Sequence, residues 1–299
     1  MRSNVNSVSV KIIKASRKNS KTSPLLVASQ TGDQKAVKQL LKRGLDPNVR
    51  GQHAVTPLIE ASAKGFLEIA RILLKAGAGV DLFTTRGETA LAYAAANGHN
   101  GVAQLLLDAS ATPDCHISIP GGRMSALTMA AGRDYEEIAA ALISRGASIE
   151  GWREQERPIV MAARNGHTEI VRLLLLRGAN PNSRGNLCKT ALLSFAASGS
   201  IKGVKLLVAK GADVNVVDSY GMSAFLWACR NGHSQVAKYL LGKKANPLVR
   251  DSISGSPGDT ALGWAIKQRQ PQVVEWLLHS GIQLEPKEVK QAKKFLSSN

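Results

Sequence analysis

Residues 190–215 read TALLSFAASGSIKGVKLLVAKGADVN, and this stretch decides the fold. Apolar residues recur at helical spacing from Ala191 to Ala196, and Gly199 follows them. A second apolar run from Val204 onward is followed by Gly211. Glycine is the residue best suited to the left-handed backbone at the end of a helix. The stretch therefore predicts a unit of helix, tight turn, helix and loop.

The same pattern occurs eight times along the chain. Each repeat starts at an anchor residue, with an apolar residue two positions later; the anchors are Ser23, Thr56, Thr89, Ser125, Arg157, Thr190, Ser223 and Thr260. A glycine lies nine residues after the anchor except in repeat four, which has Asp134, and in repeat eight, which has Arg269. One helix pair has apolar residues on too many faces to stand alone, so the repeats are expected to stack into a solenoid.

These repeats resemble the ankyrin repeat. The motifs that carry the resemblance are Thr56-Pro57-Leu58, Thr89-Ala90-Leu91, Ala95-Ala96-Asn97-Gly98-His99, Ala162-Ala163-Arg164-Asn165-Gly166-His167 and the run from Leu206 to Asn215. The resemblance implies an all-α solenoid of stacked helix-turn-helix units with β-hairpin-like connecting loops. It also marks Asn215 as a candidate for asparagine hydroxylation.

Three segments follow from the repeat register. Residues 1–22 form a basic arm rich in Ser and Asn, which we interpret as a disordered tail, an organelle-targeting peptide or a nuclear localisation patch. Residues 23–285 form the repeat domain, with longer junctions before repeats four and eight. Residues 286–299 are expected to form a capping helix, because a terminal repeat exposes an apolar face that needs cover.

Composition excludes several classes of protein. The chain has 299 residues and is 44% hydrophobic, so it can bury a core. Its net charge of +17 favours acidic partners. Its purely aliphatic runs, such as Leu173–Leu176, are far shorter than a membrane span requires. Three widely spaced cysteines argue against a disulfide framework and for a reducing compartment, and we expect a cytoplasmic or nuclear monomer.

We find no pattern that predicts catalysis, a cofactor or a metal. The sequence has no phosphate loop, nucleophile elbow or zinc-protease motif. His99, His167 and His233 occur once per repeat, which indicates a structural role in the turn rather than metal binding. Cys229 is expected to be buried, whereas Cys115 is expected to be an exposed loop thiol.

The resemblance implies a partner-binding face made by the first helices and the loop tips. The positions it selects on this face are Lys64, Arg86, Arg133, Trp152, Arg153, Arg164, Leu187, Tyr220, Met222, Arg230 and Lys267. The face is predicted to be basic, with Leu187, Tyr220 and Met222 as apolar patches. Both a functional groove and an ordinary solvated surface agree with this pattern. Trp227 and Trp264 occupy matching positions and are interpreted as packing residues.

The leading hypothesis is a non-enzymatic scaffold that binds a protein partner, acidic in character, on this face. On this hypothesis Arg164 and Arg230 form one stripe, and charge reversal of both is expected to abolish binding and leave the fold intact. The alternative is association with nucleic acid or another anionic surface, driven by the +17 charge.

Overall fold

The computed structural model describes residues 23–120, 122–152, 155–253, 255 and 258–298. The basic arm, Arg153 and parts of both long junctions lie outside the described residues. The chain forms two compact units: residues 23–130 with 135–148, and residues 131–134 with 149–298.

Paired helices make up most of both units. The pairs are α1 Pro24–Thr31 and α2 Gln34–Lys42, α3 Pro57–Ala63 and α4 Leu67–Lys75, α5 Ala90–Asn97 and α6 Asn100–Asp108, α7 Ala126–Gly132 and α8 Glu136–Ser144, α9 Pro158–Arg164 and α10 Thr168–Leu176, α11 Ala191–Ser198 and α12 Ile201–Ala209, α13 Ala224–Arg230 and α14 Ser234–Gly242, and α15 Ala261–Lys267 and α16 Pro271–Leu278. A last helix, α17, spans Pro286–Ser297.

Within each unit, like helices stack on like. In the first unit α1 packs on α3 and α3 on α5, while α2, α4, α6 and α8 form a second row. In the second unit α9, α11, α13 and α15 form one row and α10, α12, α14 and α16 the other. Helix α17 packs on α15 and α16 and buries Ala292 between them. The predicted helical-repeat solenoid is confirmed.

The anchor residues start the first helices by capping them. The hydroxyl of Thr89 accepts a hydrogen bond from the Ala92 N–H at 3.3 Å, and Thr190 accepts one from Leu193 in the same way. Such a cap satisfies a backbone donor that has no partner inside the helix. Ser23 and Arg157 make no side-chain cap, and in both repeats a proline follows, whose fixed φ already suits the first turn of a helix.

Left-handed residues end the first helices in every repeat. Gly98 and Gly199 have φ values of 75° and 77°. Asp134 and Arg269, which replace this glycine, adopt the same conformation, with φ values of 62° and 53°. The turn is therefore imposed by the packing of the helix pair even where the residue disfavours it.

The repeat histidines tie neighbouring repeats together. In the second unit the His233 ring is 3.1 Å from the carbonyl oxygen of Ala197, and the side-chain amide of Asn231 donates to that same oxygen at 2.7 Å. His99 makes the equivalent contact with Ala63 in the first unit. These contacts agree with the structural role expected of the histidines.

Asparagines link consecutive loops in a similar way. Asn182 donates to the Gly211 carbonyl at 3.1 Å and accepts from the Asp213 N–H at 2.8 Å. Asn215 occupies the equivalent position one repeat later and accepts from Asn246 at 2.7 Å. Its hydroxylation stays a prediction.

One connecting loop is a true β-hairpin. Strands β1 His116–Ile119 and β2 Gly122–Ser125 pair antiparallel, with His116 opposite Ser125. Isolated bridges join Phe83 to Thr89 and Val217 to Ser223 in two other loops. Cys115, just before β1, is buried and not an exposed thiol as expected, because the chain there is part of the folded hairpin, its carbonyl oxygen accepting from the Ala126 N–H at 2.9 Å. Burial raises its pKa to about 12.

Repeat six has an unusual core. Seven repeats have alanine five residues after the anchor, but repeat six has Phe195, which is fully buried. Opposite it, Gly203 is in the first turn of α12, where a Cβ atom would lie 2.4 Å from the Phe195 ring. The glycine is therefore required by the large neighbour, since glycine inside a helix is otherwise unfavourable.

Candidate protein-binding surface

The candidate residues of the first unit are exposed and lie apart in sequence. Lys64 directly follows the last residue of α3. Burial raises the pKa of the nearby Glu60 carboxyl above its ordinary value, and the positive charge of Lys64 offsets part of this rise. Arg86 lies at a loop tip, where its carbonyl oxygen is 3.2 Å from the His116 ring. Neither side chain belongs to an ion pair among the residues that the structure describes.

A buried carboxylate lies beside this loop. Glu88 accepts hydrogen bonds from the Tyr93 hydroxyl at 2.6 Å and the Ser118 N–H at 2.9 Å. Burial raises the pKa of Glu88, but these bonds and one from Thr84 outweigh it, so the pKa lies below its ordinary value. Burial together with Glu88 raises the pKa of Tyr93. The carboxylate holds the β-hairpin to repeat three and is not available to a partner.

Leu187 and Tyr220 are exposed at loop tips of the second unit, as predicted. Their exposed fractions are 52% and 40%. The Leu187 carbonyl accepts from Ser219 at 3.0 Å, and the Tyr220 carbonyl accepts from Ser252 at 2.8 Å, so consecutive tips are joined. Trp152 is half-buried, and Arg133 is exposed.

Met222 is a correction to the sequence-based surface. It is fully buried, and its N–H donates to the Asp218 carboxylate at 3.0 Å. The turn that Asp218 closes folds the chain back at Gly221, so Met222 points into the core and not outward. It contributes no contact surface.

Arg164 is exposed, but its charge is already engaged. Its guanidinium donates to Glu156, whose side chain is almost fully buried. Charge reversal at Arg164 would place two carboxylates together, one of them out of water, so we expect it to destabilise the fold rather than to leave it intact. The ion pair joins Glu156, in the loop before α9, to Arg164, the last residue of α9. The two residues are 8 positions apart, and the sequence alone does not indicate that they pair.

Two buried aspartates orient two tryptophans. The Trp227 indole N–H donates to Asp218 at 3.0 Å, and the Trp264 indole N–H donates to Asp251 at 2.7 Å. Both aspartates also accept backbone N–H groups of their own loops. Each indole is therefore held by hydrogen bonding as well as by packing, which agrees with the structural role expected from the matching positions.

Cations cover the faces of these indoles. The Arg230 guanidinium carbon lies 5.0 Å from the centre of the Trp227 ring and 4.2 Å from that of Trp264. Lys189 lies 5.1 Å from Trp227, and Lys267 lies 5.7 Å from Trp264. These distances are in the range of cation–π attraction. We call these five residues the tryptophan–cation row.

The three cations of the tryptophan–cation row and Arg164 differ in whether a carboxylate pairs with them. Arg164 pairs with Glu156, and Lys267 pairs with Asp259. Lys189 and Arg230 form no ion pair within the part of the chain that the structure describes. Lys189, directly before the anchor Thr190, was not among the sequence-based candidates; the signal that points to it is Trp227, four residues after the next anchor.

Other chemistry is not visible in the described residues. They contain no group of three or more His, Cys, Asp or Glu side chains placed to hold a metal ion. The described helices include none with the length and apolar character needed to cross a membrane. Cys229 is buried as expected, and burial raises the pKa of its thiol.

Comparisons with known proteins agree with the repeat register. The family model for ankyrin repeats (3 copies) matches residues 25–119, 112–185, 159–251 and 192–288. An ankyrin repeat-containing protein of Treponema pallidum (strain Nichols) is 38% identical over 69 residues, which are 22% of this chain and 23% of that protein. The chain thus spans under a quarter of that relative's length.

A solved structure gives the same result. The crystal structure of the human ASB11 ankyrin repeat domain has a TM-score of 0.64 and 27% sequence identity, and the match covers 76% of this chain and all of that one. Ankyrin repeats are in general protein–protein interaction domains and typically non-enzymatic. With family matches running from residue 25 to residue 288, this chain belongs to the ankyrin-repeat family.

Proposed function

We propose that this chain is a non-enzymatic interaction module that binds an acidic protein segment through the tryptophan–cation row of its second unit. The observation that carries the proposal is Arg230, which is held between two indoles and forms no ion pair among the described residues. Trp and Arg are the residue types most enriched among those that dominate interface energies.

The row is suited to binding because it is ordered in advance. Aspartates fix the two indoles, and the indoles fix the guanidinium of Arg230. A partner therefore avoids much of the entropy cost of ordering a long side chain, which is about 0.5–1.5 kcal/mol for each one immobilised at an interface. A guanidinium stacked on aromatic rings keeps its N–H edge free to bind a carboxylate.

Nucleic acid is the less favoured partner. Single-strand binding proteins stack bases on open aromatic faces. Here Trp227 and Trp264 both carry cations over their rings, which compete with stacking. The high net charge supports association with polyanions in general, so nucleic acid enters the experiment as a competitor.

The test uses the full-length chain and two variants that each lose two positive charges. The chain captures partners from a lysate at low and at high salt, mass spectrometry identifies them, and calorimetry measures their affinity. We expect the double variant Lys189→Gln with Arg230→Gln to bind the recovered partner at least tenfold more weakly, since hydrogen bonds to charged groups contribute roughly 1.5–3 kcal/mol each.

The matched control lies on the second-helix row. Lys205 stands over Tyr239, and Lys238 stands over Trp276, so Lys205→Gln with Lys238→Gln removes the same charge from equivalent aromatic contacts. This control is expected to bind as the natural protein does. Equal weakening in both double variants, or full competition by single-stranded DNA, would instead support binding through general charge.

A further inference from the structure

Repeat six lacks two side chains that its neighbours have. Four residues after the anchor, repeat five has Met161 and repeat seven has Trp227, but repeat six has Ser194. Seven residues after the anchor, the neighbours have Arg164 and Arg230, whereas repeat six has alanine. Small residues at both positions leave a gap in a row that is filled on either side.

The gap is a slot of about 260 Å³ on the first-helix face of the second unit. It is lined chiefly by Arg164, Lys189, Leu193, Ser194, Ala197 and Trp227. Leu193 is buried, and the Ser194 hydroxyl donates to the Thr190 carbonyl at 3.1 Å. The slot therefore presents an apolar floor, an indole wall and one cation from each neighbouring side.

Its charge is positive on balance. Among the residues lining the slot, Arg164 and Lys189 are the charged ones, and no acidic residue lines it. Arg164 shares its charge with Glu156, while the Lys189 ammonium lies over the Trp227 ring and forms no ion pair among the described residues. A group that enters the slot meets one ammonium that lacks a counter-ion, and desolvation strengthens its attraction for a carboxylate.

We propose that the slot takes the side chain of a glutamate from an extended partner segment; this rests on the proposed function and names the residue that the surface selects. The methylene groups of glutamate would contact Leu193 and Ala197, and its carboxylate would reach Lys189. Aspartate is one methylene shorter and buries less apolar surface for the same charge.

The row also sets the position of a second acidic residue. Lys189 and Arg230 contact the same Trp227 ring, with distances of 5.1 and 5.0 Å to its centre. They lie no more than about 10 Å apart, close to the roughly 9 Å that one three-residue turn of a polyproline II segment spans, and residues three apart in such a segment lie on one face. A partner segment with two glutamates three positions apart therefore places one carboxylate at Lys189 and the next at Arg230.

NMR titration of the full-length chain tests the slot without knowledge of the natural partner. The probe is a capped seven-residue peptide of Gly and Ser with glutamate at its first, fourth and seventh positions. The chain has four tryptophans, so its indole N–H groups give few signals, and loss of one in Trp227→Phe assigns that residue. We expect the Trp227 indole signal to shift with this peptide and not with its glutamine counterpart.

Filling the slot is the decisive variant. Ser194→Met introduces the residue that repeat five already holds at the equivalent position, so the fold has a precedent for it. We expect this variant to lose the glutamate-dependent shift. Val27→Met makes the same kind of change at the same repeat position in the first unit and is expected to keep the shift. Circular dichroism melts check that both variants fold. We expect Lys189→Gln to lose the shift as well, because it removes the charge without filling the slot.

Three results would overturn the inference: an equal shift with the glutamine peptide, no shift with the glutamate peptide, or an unchanged shift in Ser194→Met. A stronger shift of the same signals by oligo-dT would assign the slot to polyanions instead. The proposed function fails separately, when Lys189→Gln with Arg230→Gln binds the recovered partner normally. If Ser194→Met binds that partner normally while the double charge variant does not, the slot inference fails and the proposed function stands.

Discussion

Arg164 and Arg230 occupy the same position in their repeats, yet their surroundings differ. Arg164 neutralises the buried Glu156, whereas Arg230 lies between two indole rings with no carboxylate partner among the described residues. The repeat register places both on one face, but the residue before the anchor decides what each arginine contacts. The former pairs within its own repeat, and the latter carries the partner contact that we propose.

Reversal of charge at Arg164 is therefore expected to destabilise the protein. Arg164→Glu leaves Glu156 buried beside a like charge, and the loss of a charged partner for a buried group costs about 1–3 kcal/mol or more in the free energy of unfolding. Urea unfolding measures this. The control is Arg172→Glu, which disrupts the exposed Arg172–Glu169 pair and is expected to cost under about 1 kcal/mol. Equal stability of the two variants would contradict the buried pairing.

Glu88 is expected to make the first unit sensitive to acid. Its folded pKa lies below the ordinary value of 4.5, so its contribution to stability is complete above that value and is lost as the pH falls through the folded pKa. Glu88→Gln is therefore expected to lower stability near pH 6 and to reduce the loss of stability between about pH 5 and pH 3. Urea unfolding at several pH values measures both effects; a parallel profile in the variant would show that Glu88 is not the cause.

In repeat six, a large residue in the first helix is matched by a residue without a side chain in the second helix. Phe195 in α11 fills the space that Gly203 leaves in α12. Phe195→Ala alone is expected to cost about 3–5 kcal/mol, because it leaves a cavity. Gly203→Ile alone is expected to cost about 1–3 kcal/mol or more, because the added side chain overpacks the space beside Phe195.

The double variant restores the arrangement of the other repeats, and its cost is expected to be smaller than the sum of the two single costs. Repeats two, four and five combine alanine with isoleucine at these positions, as in Ala61 with Ile69. A double-mutant cycle by urea unfolding gives the coupling energy. Additive costs would mean that the two side chains do not compete for one space.

The turn of repeat eight provides a stabilising change. Arg269 has a φ of 53°, a left-handed conformation that costs a non-glycine residue roughly 1–2 kcal/mol. Arg269→Gly is expected to raise the melting temperature, because six repeats already have glycine at this position. Calorimetry measures the change. Arg145→Gly, at a position whose φ of −98° any residue adopts, serves as the control and is expected to lower the melting temperature, because it also removes the ion pair with Asp108.

At the scale of the whole molecule, stability depends on contacts between neighbouring repeats. Internal repeats have two neighbours and terminal ones have a single repeat neighbour, and repeats four and eight lack the first glycine. We expect amide hydrogens at both ends of the chain to exchange faster than those of residues 157–232. Hydrogen-exchange mass spectrometry checks this expectation, and uniform protection along the chain would contradict it.

The repeat architecture was predictable from local sequence patterns. A cap at the anchor, apolar spacing within each helix and a glycine after it are local features, and a helix pair with several apolar faces has to stack on its neighbours. These rules hold within about one repeat length, so the helices and their order were predictable. The charged and polar character of the first-helix face was predictable for the same reason.

Which residues of that face remain available depends on packing that the sequence patterns do not show. Met222 is buried by a turn that Asp218 closes, Arg164 is paired with Glu156, and Lys189 joins the row through a tryptophan 38 positions away in the next repeat. Each outcome depends on how far a flexible side chain reaches and on which neighbour it meets first. Repeat spacing determines where the Cα atoms lie, but the competition of carboxylates, indoles and solvent for each cation is settled only by the packed side chains.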